Sequence, residues 1–197
     1  MRPYDVAIIG GGVVGTSIAR ELSRYKLSIA VFEKEEELAF GISKSNSGII
    51  HPGTQNPPDS LKGRLCLQGN RLVRGLAKEL GFDFKEVGEL IVAFDDEEIE
   101  RLHKLKTDAE ALGVPRLRIV DSIWLRRNEP NLSDKARAAL YAPTAGIVSP
   151  YRMVYDLSEN AVRNGVEIFL STKVVGIEAK YPFDIFTSRG IFRSIYI

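Results

Sequence analysis

Along the first forty residues the apolar positions change rhythm three times. Val6–Ile9 is an unbroken apolar run, which suits a strand buried on both faces of a parallel sheet. From Val13 the spacing turns helical: Val14, Ile18 and Leu22 stand four residues apart and are assigned to the inner face of a helix. Leu27–Phe32 is strand-like again, so the segment reads as one βαβ unit of about thirty residues.

The regularity then stops. Residues 40–60, FGISKSNSGIIHPGTQNPPDS, are dense in Gly, Ser, Asn and Pro and read as one long ordered loop. Loops of that length inside a compact domain are usually functional. A helix follows from Leu61, capped by Asp59 or Ser60, with Leu61, Leu65, Leu72, Leu76 and Leu80 on its expected inner face and Gly81 ending it. Gly63, Gly69 and Gly75 interrupt it, each costing roughly 1 kcal/mol relative to Ala. The expectation is a very close neighbour, or a break.

Two strands are expected at 84–87 and 89–94, around Gly88. A helix capped by Asp95 or Asp96 then carries Ile99, Leu102, Leu105, Ala109 and Leu112 inward and closes at Gly113. Beyond a short helix at 122–127, the stretch 116–140 shows no clear period. Ser149–Pro150 opens a helix as cap and first-turn proline, and Gly165 ends it. Strands are expected at 166–170, 172–179, 183–187 and 191–197, with turns at Pro182 and Arg189–Gly190. The last run, GIFRSIYI, ends apolar and uncapped, so the chain is expected to be the N-terminal part of a longer polypeptide.

Composition narrows the functional classes. The 197 residues are 44% hydrophobic and 27% charged, the balance of a globular protein with a core. Twenty-seven Lys and Arg against 26 Asp and Glu give +1, which leaves no electrostatic footprint for nucleic acid. No run approaches a transmembrane span, and no signal peptide is readable at the N-terminus. The single cysteine, Cys66, excludes an internal disulfide and suits a reducing interior. The expected location is cytoplasmic, with peripheral attachment at the inner membrane face left open. No Cys/His spacing suggests a metal.

Gly10-Gly11-Gly12-Val13-Val14-Gly15 fits G-x-G-x-x-G between the first strand and helix. In that pattern Gly10 makes the tight turn, Gly12 lets a pyrophosphate approach the backbone, and Gly15 lets helix and strand pack closely. The helix N-terminus at Val13 and Val14 offers N–H groups and partial positive charge. Glu33, eighteen residues after Gly15 at the end of the second strand and followed by Lys34, can accept both hydroxyls of an adenosine ribose. Its charge repels a 2′-phosphate. Strand, helix, second strand and acid are in register, which makes the motif specific. A simple NAD domain continues quickly with another helix and strand. Here the Ser/Gly loop intervenes, and the third parallel strand is delayed to 166–170.

These features, with VFEKE, SNSGIIHPG, PPDSLKGRLC, GIVSPYR and TKVVGIE, resemble the D-amino-acid-oxidase-like FAD-dependent oxidoreductases over nearly the whole chain. Within them the similarity is greatest to the glycerol-3-phosphate dehydrogenase and L-2-hydroxyglutarate oxidase group. The resemblance implies an α/β fold: a Rossmann-like FAD-binding domain of the glutathione-reductase type with an antiparallel β-meander, plus the start of a β-rich substrate domain. It divides the chain into 1–83 with 149–197 for FAD and 84–148 for the substrate domain. It implies FAD as cofactor, with Ser45, Asn46, Ser47 and Gly48 supplying donors to phosphate and ribityl oxygens. His51 falls beside the isoalloxazine as a candidate catalytic residue, and Val174 meets adenine through its backbone.

The implied reaction is hydride transfer from a small hydroxy substrate to flavin. The expected substrate is anionic sn-glycerol 3-phosphate; the alternatives are L-2-hydroxyglutarate or another 2-hydroxy acid, or an amine or amino acid. Quinone, oxygen or a partner redox subunit reoxidises the flavin. A reading of another class is a non-catalytic FAD-binding subunit or a truncated remnant. Cys66 reads as a small core residue, His103 as solvated, and Arg116, Arg118, Arg126 and Arg127 as a solvated face that could also greet an anion.

Overall fold

The computed structural model describes residues 2–197. In chain order β1 (Tyr4–Ile9), α1 (Val13–Leu22), β2 (Ile29–Phe32) and β3 (Ile49–Ile50) lead to the long α2 (Leu61–Leu80). Next come β4 (Phe84–Lys85), β5 (Glu89–Ala93), α3 (Asp96–Leu112), β6 (Arg118–Asp121), α4 (Ser122–Asn128), β7 (Ala138–Ala142) and β8 (Gly146–Val148). The chain finishes with α5 (Pro150–Arg163), β9 (Glu167–Phe169), β10 (Val174–Glu178), β11 (Phe183–Thr187) and β12 (Gly190–Tyr196).

Two compact units result, one of residues 2–47, Leu80–Phe82 and Ser149–Ile197, the other of Gly48–Glu79 and Asp83–Val148. The division differs from the expected 1–83 plus 149–197 by the segment 48–79 and by Asp83, which fall in the second unit.

The first unit is built on a six-stranded sheet in the order β10-β11-β12-β1-β2-β9. β1 pairs in parallel with β2 and β12, and β2 with β9. β10, β11 and β12 form an antiparallel meander. Successive residues of a strand point to opposite faces. Ile8, Ile29 and Val31 accordingly pack with Ala19 of α1 and Ala161 of α5. Ala7, Ala30 and Phe32 join Ile185, Phe169 and Phe192 in a second core, where the Phe32 ring centroid lies 4.8 Å from Phe192 and 5.4 Å from Phe169. Every residue of β2 is buried, as its apolar run requires.

The expected inner face of α1 is only partly right. Leu22 packs on the core, but Val14 is 69% exposed and Ile18 is exposed too. The face against the sheet carries Gly15, Thr16 and Ala19, because the helix comes so near the strand that only small side chains fit. A Cβ on Gly15 would overlap the carbonyl oxygen of Gly10.

The second unit holds two antiparallel three-stranded sheets, β3-β8-β4 and β5-β7-β6. Leu102 and Ala109 of α3 pack with Leu67 of α2 and with Ala93, Ala138, Leu140 and Ala142, the inward face read from the sequence. Asp95 caps α3 by accepting from Glu98 N–H, and Gly113 ends it at φ +96°. β6 and the start of β7 lie in the stretch 116–140 that shows no clear period, and β8 follows it.

The inner face of α2 also needs correction. Leu61, Leu65 and Leu72 are exposed, and the buried residues are Gly63, Leu67, Asn70, Val73 and Ala77. Two stripes of helical spacing run along α2, and the core takes the one containing a glycine and an asparagine. The helix is unbroken. Gly63 answers the expected close approach, since a Cβ there would lie 2.8 Å from the Pro57 carbonyl oxygen, whereas Gly69 and Gly75 meet nothing within 4 Å.

Gly15→Ala should destabilise the protein by about 3 kcal/mol, the upper end of overpacking costs, because the obstacle is backbone. Thermal unfolding followed by circular dichroism measures it; an unchanged midpoint would contradict the close approach of α1 to β1.

Candidate functional site

The first unit carries the glycine turn at the carboxyl end of β1. Gly10 adopts φ +108°, a conformation open to glycine at little cost, and its N–H donates to the Phe32 carbonyl at 2.8 Å. The chain then enters α1 with Gly12 as a cap that has no side chain to offer. First-turn N–H groups lack intrahelical partners. That of Val13 donates to Ser43 Oγ at 3.0 Å. A Cβ on Gly12 would meet only Ser43, its Oγ at 3.0 Å. Gly15 is filled from the protein side, while Gly12 faces a space bordered by one hydroxyl.

Glu33 is buried at the end of β2. Its Oε2 accepts from Gly11 N–H at 2.6 Å and its Oε1 from Glu35 N–H at 3.0 Å. A carboxylate has about four lone-pair sites, so these two bonds leave each oxygen able to accept another. Lys34 is exposed and pairs with Glu35 at 3.4 Å. The N–H groups of Thr172 and Ser171 donate to the Glu33 and Glu35 carbonyls at 2.7 and 2.8 Å. Val174 begins β10 just beyond, packed against the core that holds Phe32.

Of the Ser/Gly loop, Ser45, Asn46 and Ser47 are exposed. The Asn46 amide donates to the carbonyls of Ile42 and Ser43 at 3.1 and 2.9 Å, so it holds the turn that presents Ser43. The sequence reading passed over Ser43. One serine among three in SKSNS carries no distinguishing signal until the turn is folded.

The second unit contains Gly48 and His51. Gly48, at φ +68°, accepts from Val148 N–H at 2.9 Å. β3 pairs antiparallel with β8, and His51 leaves that strand with its ring exposed. Its Nδ1 lies 3.0 Å from Glu89 Oε2, and Glu89 Oε1 accepts from Thr54 Oγ1 at 2.5 Å. The His51 carbonyl accepts from Cys66 Sγ at 3.3 Å and from Asn70 Nδ2 at 3.4 Å. Glu89 and Thr54 were also absent from the sequence reading as site residues, since Glu89 lies 38 residues from His51 and 35 from Thr54.

His103 is exposed on α3. Arg118 lies over the rings of Tyr141 and Trp124, and Arg116 pairs with Glu86 at 3.2 Å. Arg126 and Arg127 end α4 and are exposed. Among the described residues, no helix is long and apolar enough to cross a membrane.

A parallel sheet with a glycine-turned helix N-terminus and a buried acid at the end of the second strand defines a dinucleotide-binding α/β protein. The comparison with known proteins is narrower. The DAO family, described as FAD dependent oxidoreductase, matches residues 5–193, and the chain belongs to this family, whose cofactor is FAD.

A glycerol 3-phosphate dehydrogenase of Caloramator mitchellensis is 46% identical over 195 residues, 98% of this chain and 41% of that protein. The human mitochondrial L-2-hydroxyglutarate dehydrogenase is 36% identical over 177 residues, 89% of this chain and 38% of its own length. FAD-bound L-alpha-glycerophosphate oxidase from Mycoplasma pneumoniae superposes with a TM-score of 0.93 at 30% identity, covering 98% of this chain and 53% of that one. Glycine oxidase from Geobacillus kaustophilus gives 0.90 at 29% identity, over 98% and 54%. The chain therefore spans from 38% to 54% of these relatives' lengths.

Burial, and after it the charge of Glu89, pushes the Cys66 thiol above its ordinary range. A raised pKa lowers the thiolate fraction at neutral pH, and thiolate is the reactive form. Iodoacetamide should therefore alkylate native Cys66 more slowly than the denatured chain, with the rate climbing only at alkaline pH. Equal native and denatured rates at neutral pH would overturn this.

Proposed function

We propose that the chain holds FAD and forms part of an oxidoreductase acting on a small hydroxy substrate, with sn-glycerol 3-phosphate as first choice. The observation that carries the reading is the open face of Gly12 at the N-terminus of α1, bordered by Ser43 and adjoining buried Glu33. Helix N-termini of this kind bind phosphate groups. Gly10, Gly12, Val13, Val14 and Gly15 would carry the pyrophosphate, and Ser43 would add its hydroxyl proton as a donor, since its oxygen already accepts from Val13. Glu33, beside Lys34, would accept the adenosine ribose hydroxyls. Ser45, Asn46, Ser47 and Gly48 would serve phosphate and ribityl oxygens, and Val174 the adenine.

When bound, FAD supplies the acceptor for a hydride leaving the substrate carbon. The protein's part in the same oxidation is to take the proton of the substrate hydroxyl, and we assign that role to His51, since histidine is the side chain most often used as a general base. The choice of substrate follows the 46% identity to a glycerol 3-phosphate dehydrogenase. A second reading, L-2-hydroxyglutarate, follows the 36% identity to a dehydrogenase of that acid. The electron acceptor in either case is a quinone, oxygen or a partner redox subunit.

An absorbance spectrum of the purified protein is the direct test. The two visible bands of oxidised flavin are expected, with bleaching on addition of glycerol 3-phosphate. Bleaching by L-2-hydroxyglutarate alone would transfer the assignment to the second substrate, and flavin that no substrate bleaches would favour a non-catalytic FAD-binding subunit. In the Gly12→Val variant the added Cβ meets only Ser43 within 4 Å on the protein side, so the fold should persist while flavin is lost. Full flavin occupancy in that variant would refute the pyrophosphate assignment. His51→Ala should keep flavin and lose turnover by about 10²-fold or more, the usual worth of a general base.

A further inference from the structure

We propose that Glu89 is a positioning residue for His51, fixing the imidazole in the Nδ1–H tautomer so that Nε2 is the basic nitrogen. The inference rests on the reading of His51 as the base, and it concerns residues of the second unit only. An ionised carboxylate only accepts hydrogen bonds, so the 3.0 Å contact between His51 Nδ1 and Glu89 Oε2 requires the proton on Nδ1. The neutral ring then carries its lone pair on Nε2, the nitrogen that would take a proton from a substrate hydroxyl. Free histidine prefers the opposite tautomer, and its ring turns freely.

The surroundings oppose reading the contact as an ordinary surface ion pair, which would be worth little. The Glu89 side chain is only 15% exposed, against 52% for His51. Its second oxygen is held by Thr54, a residue 2% exposed whose hydroxyl donates to it at 2.5 Å. Both carboxylate oxygens thus have directed partners.

The backbones at both ends are also fixed. Glu89 opens β5 opposite Ala142 of β7, and it follows Gly88, where φ is +80° and a Cβ would lie 2.6 Å from the Tyr141 ring. The N–H of Gly88 donates to the Ala145 carbonyl at 2.9 Å. On the other side, Cys66 and Asn70 hold the His51 carbonyl, and Asn70 also donates to the Thr144 carbonyl at 2.9 Å. Two short loops are pinned so that one imidazole nitrogen meets one carboxylate oxygen, the arrangement by which a buried acid orients a catalytic histidine.

The chain has two histidines, and exposed His103 is a built-in reference. Long-range proton–nitrogen correlation of the nitrogen-15 histidine-labelled protein, recorded well above the histidine titration range, reads each tautomer directly. His51 should show the Nδ1–H form and His103 the ordinary preference for Nε2–H. Glu89→Gln and Thr54→Val should each shift His51 towards the pattern of His103. A wild-type His51 as mixed as His103, or a pattern untouched by Glu89→Gln, overturns the proposal.

In the flavin-loaded protein, Glu89→Gln should lower kcat about 10²-fold with KM little changed, and Glu89→Asp should restore part of the loss. Equal turnover in wild type and Glu89→Gln overturns the positioning role. Flavin content, measured alongside, keeps the two readings apart. Wild-type protein that retains no flavin refutes the FAD reading, and the tautomer spectrum still decides this one. Full turnover in His51→Ala removes the base and with it the role of Glu89.

Discussion

The first unit depends on one buried carboxylate. Glu33 stands where β2 ends, and its two oxygens tie the glycine turn on one side and the start of the following loop on the other. Backbone N–H groups left unpaired in a buried site cost about as much as a lost hydrogen bond, and charge-assisted bonds of this type are the stronger ones. The side chain that would meet a ribose therefore also shapes the turn that would meet the pyrophosphate. Glu33 main-chain atoms continue the tie, with the N–H donating to Phe169 and the carbonyl accepting from Thr172. Three strands and the glycine turn converge on this residue.

That convergence explains why the glycine turn and the buried acid beside it were legible in the sequence. Gly10, Gly12, Gly15 and Glu33 are each required by backbone geometry or by a strand terminus, and such requirements recur at fixed spacing. The α/β class with its antiparallel strands was readable from the apolar runs and turns, and the family and its cofactor from the resemblance carried by motifs such as SNSGIIHPG and TKVVGIE. The helix faces were less so. Apolar spacing identifies a helix, but on α1 it found the core at Leu22 alone and on α2 it chose the wrong side. The buried stripes there are Gly15, Thr16 and Ala19 on α1, and Gly63, Leu67, Asn70, Val73 and Ala77 on α2. Close approach selects for small volume over hydrophobicity, and a leucine count cannot see it. The strands β6, β7 and β8 were missed for a related reason: β7 is AALYA, whose alanines pack well but carry little strand propensity.

Ser43, Glu89 and Thr54 were invisible for a different reason. Their significance lies in a partner rather than in their own type, and the partners are distant in sequence. Ser43 matters because Val13 donates to it, and Glu89 matters because its carboxylate meets the His51 ring. Long-range contacts of this kind are a product of topology. The same applies to Asn70, whose burial on an otherwise leucine-rich helix makes sense only once the carbonyls of His51 and Thr144 are seen around it.

Sheet order has a consequence for how the chain comes off the ribosome. β1 is paired in parallel with β12, with Tyr4 opposite Ser194, an interval of 190 residues. Until the last strand emerges, β1 has β2 on one side and an open edge on the other. Exposed strand edges template association with other chains, and non-local parallel pairing is slow because the loop must close first. The second unit lies almost wholly within that interval, so its strands are all synthesised before the first sheet can be completed. During synthesis one edge of β1 thus stays unpaired until β12 is made, and the order of events follows from the place of a single strand.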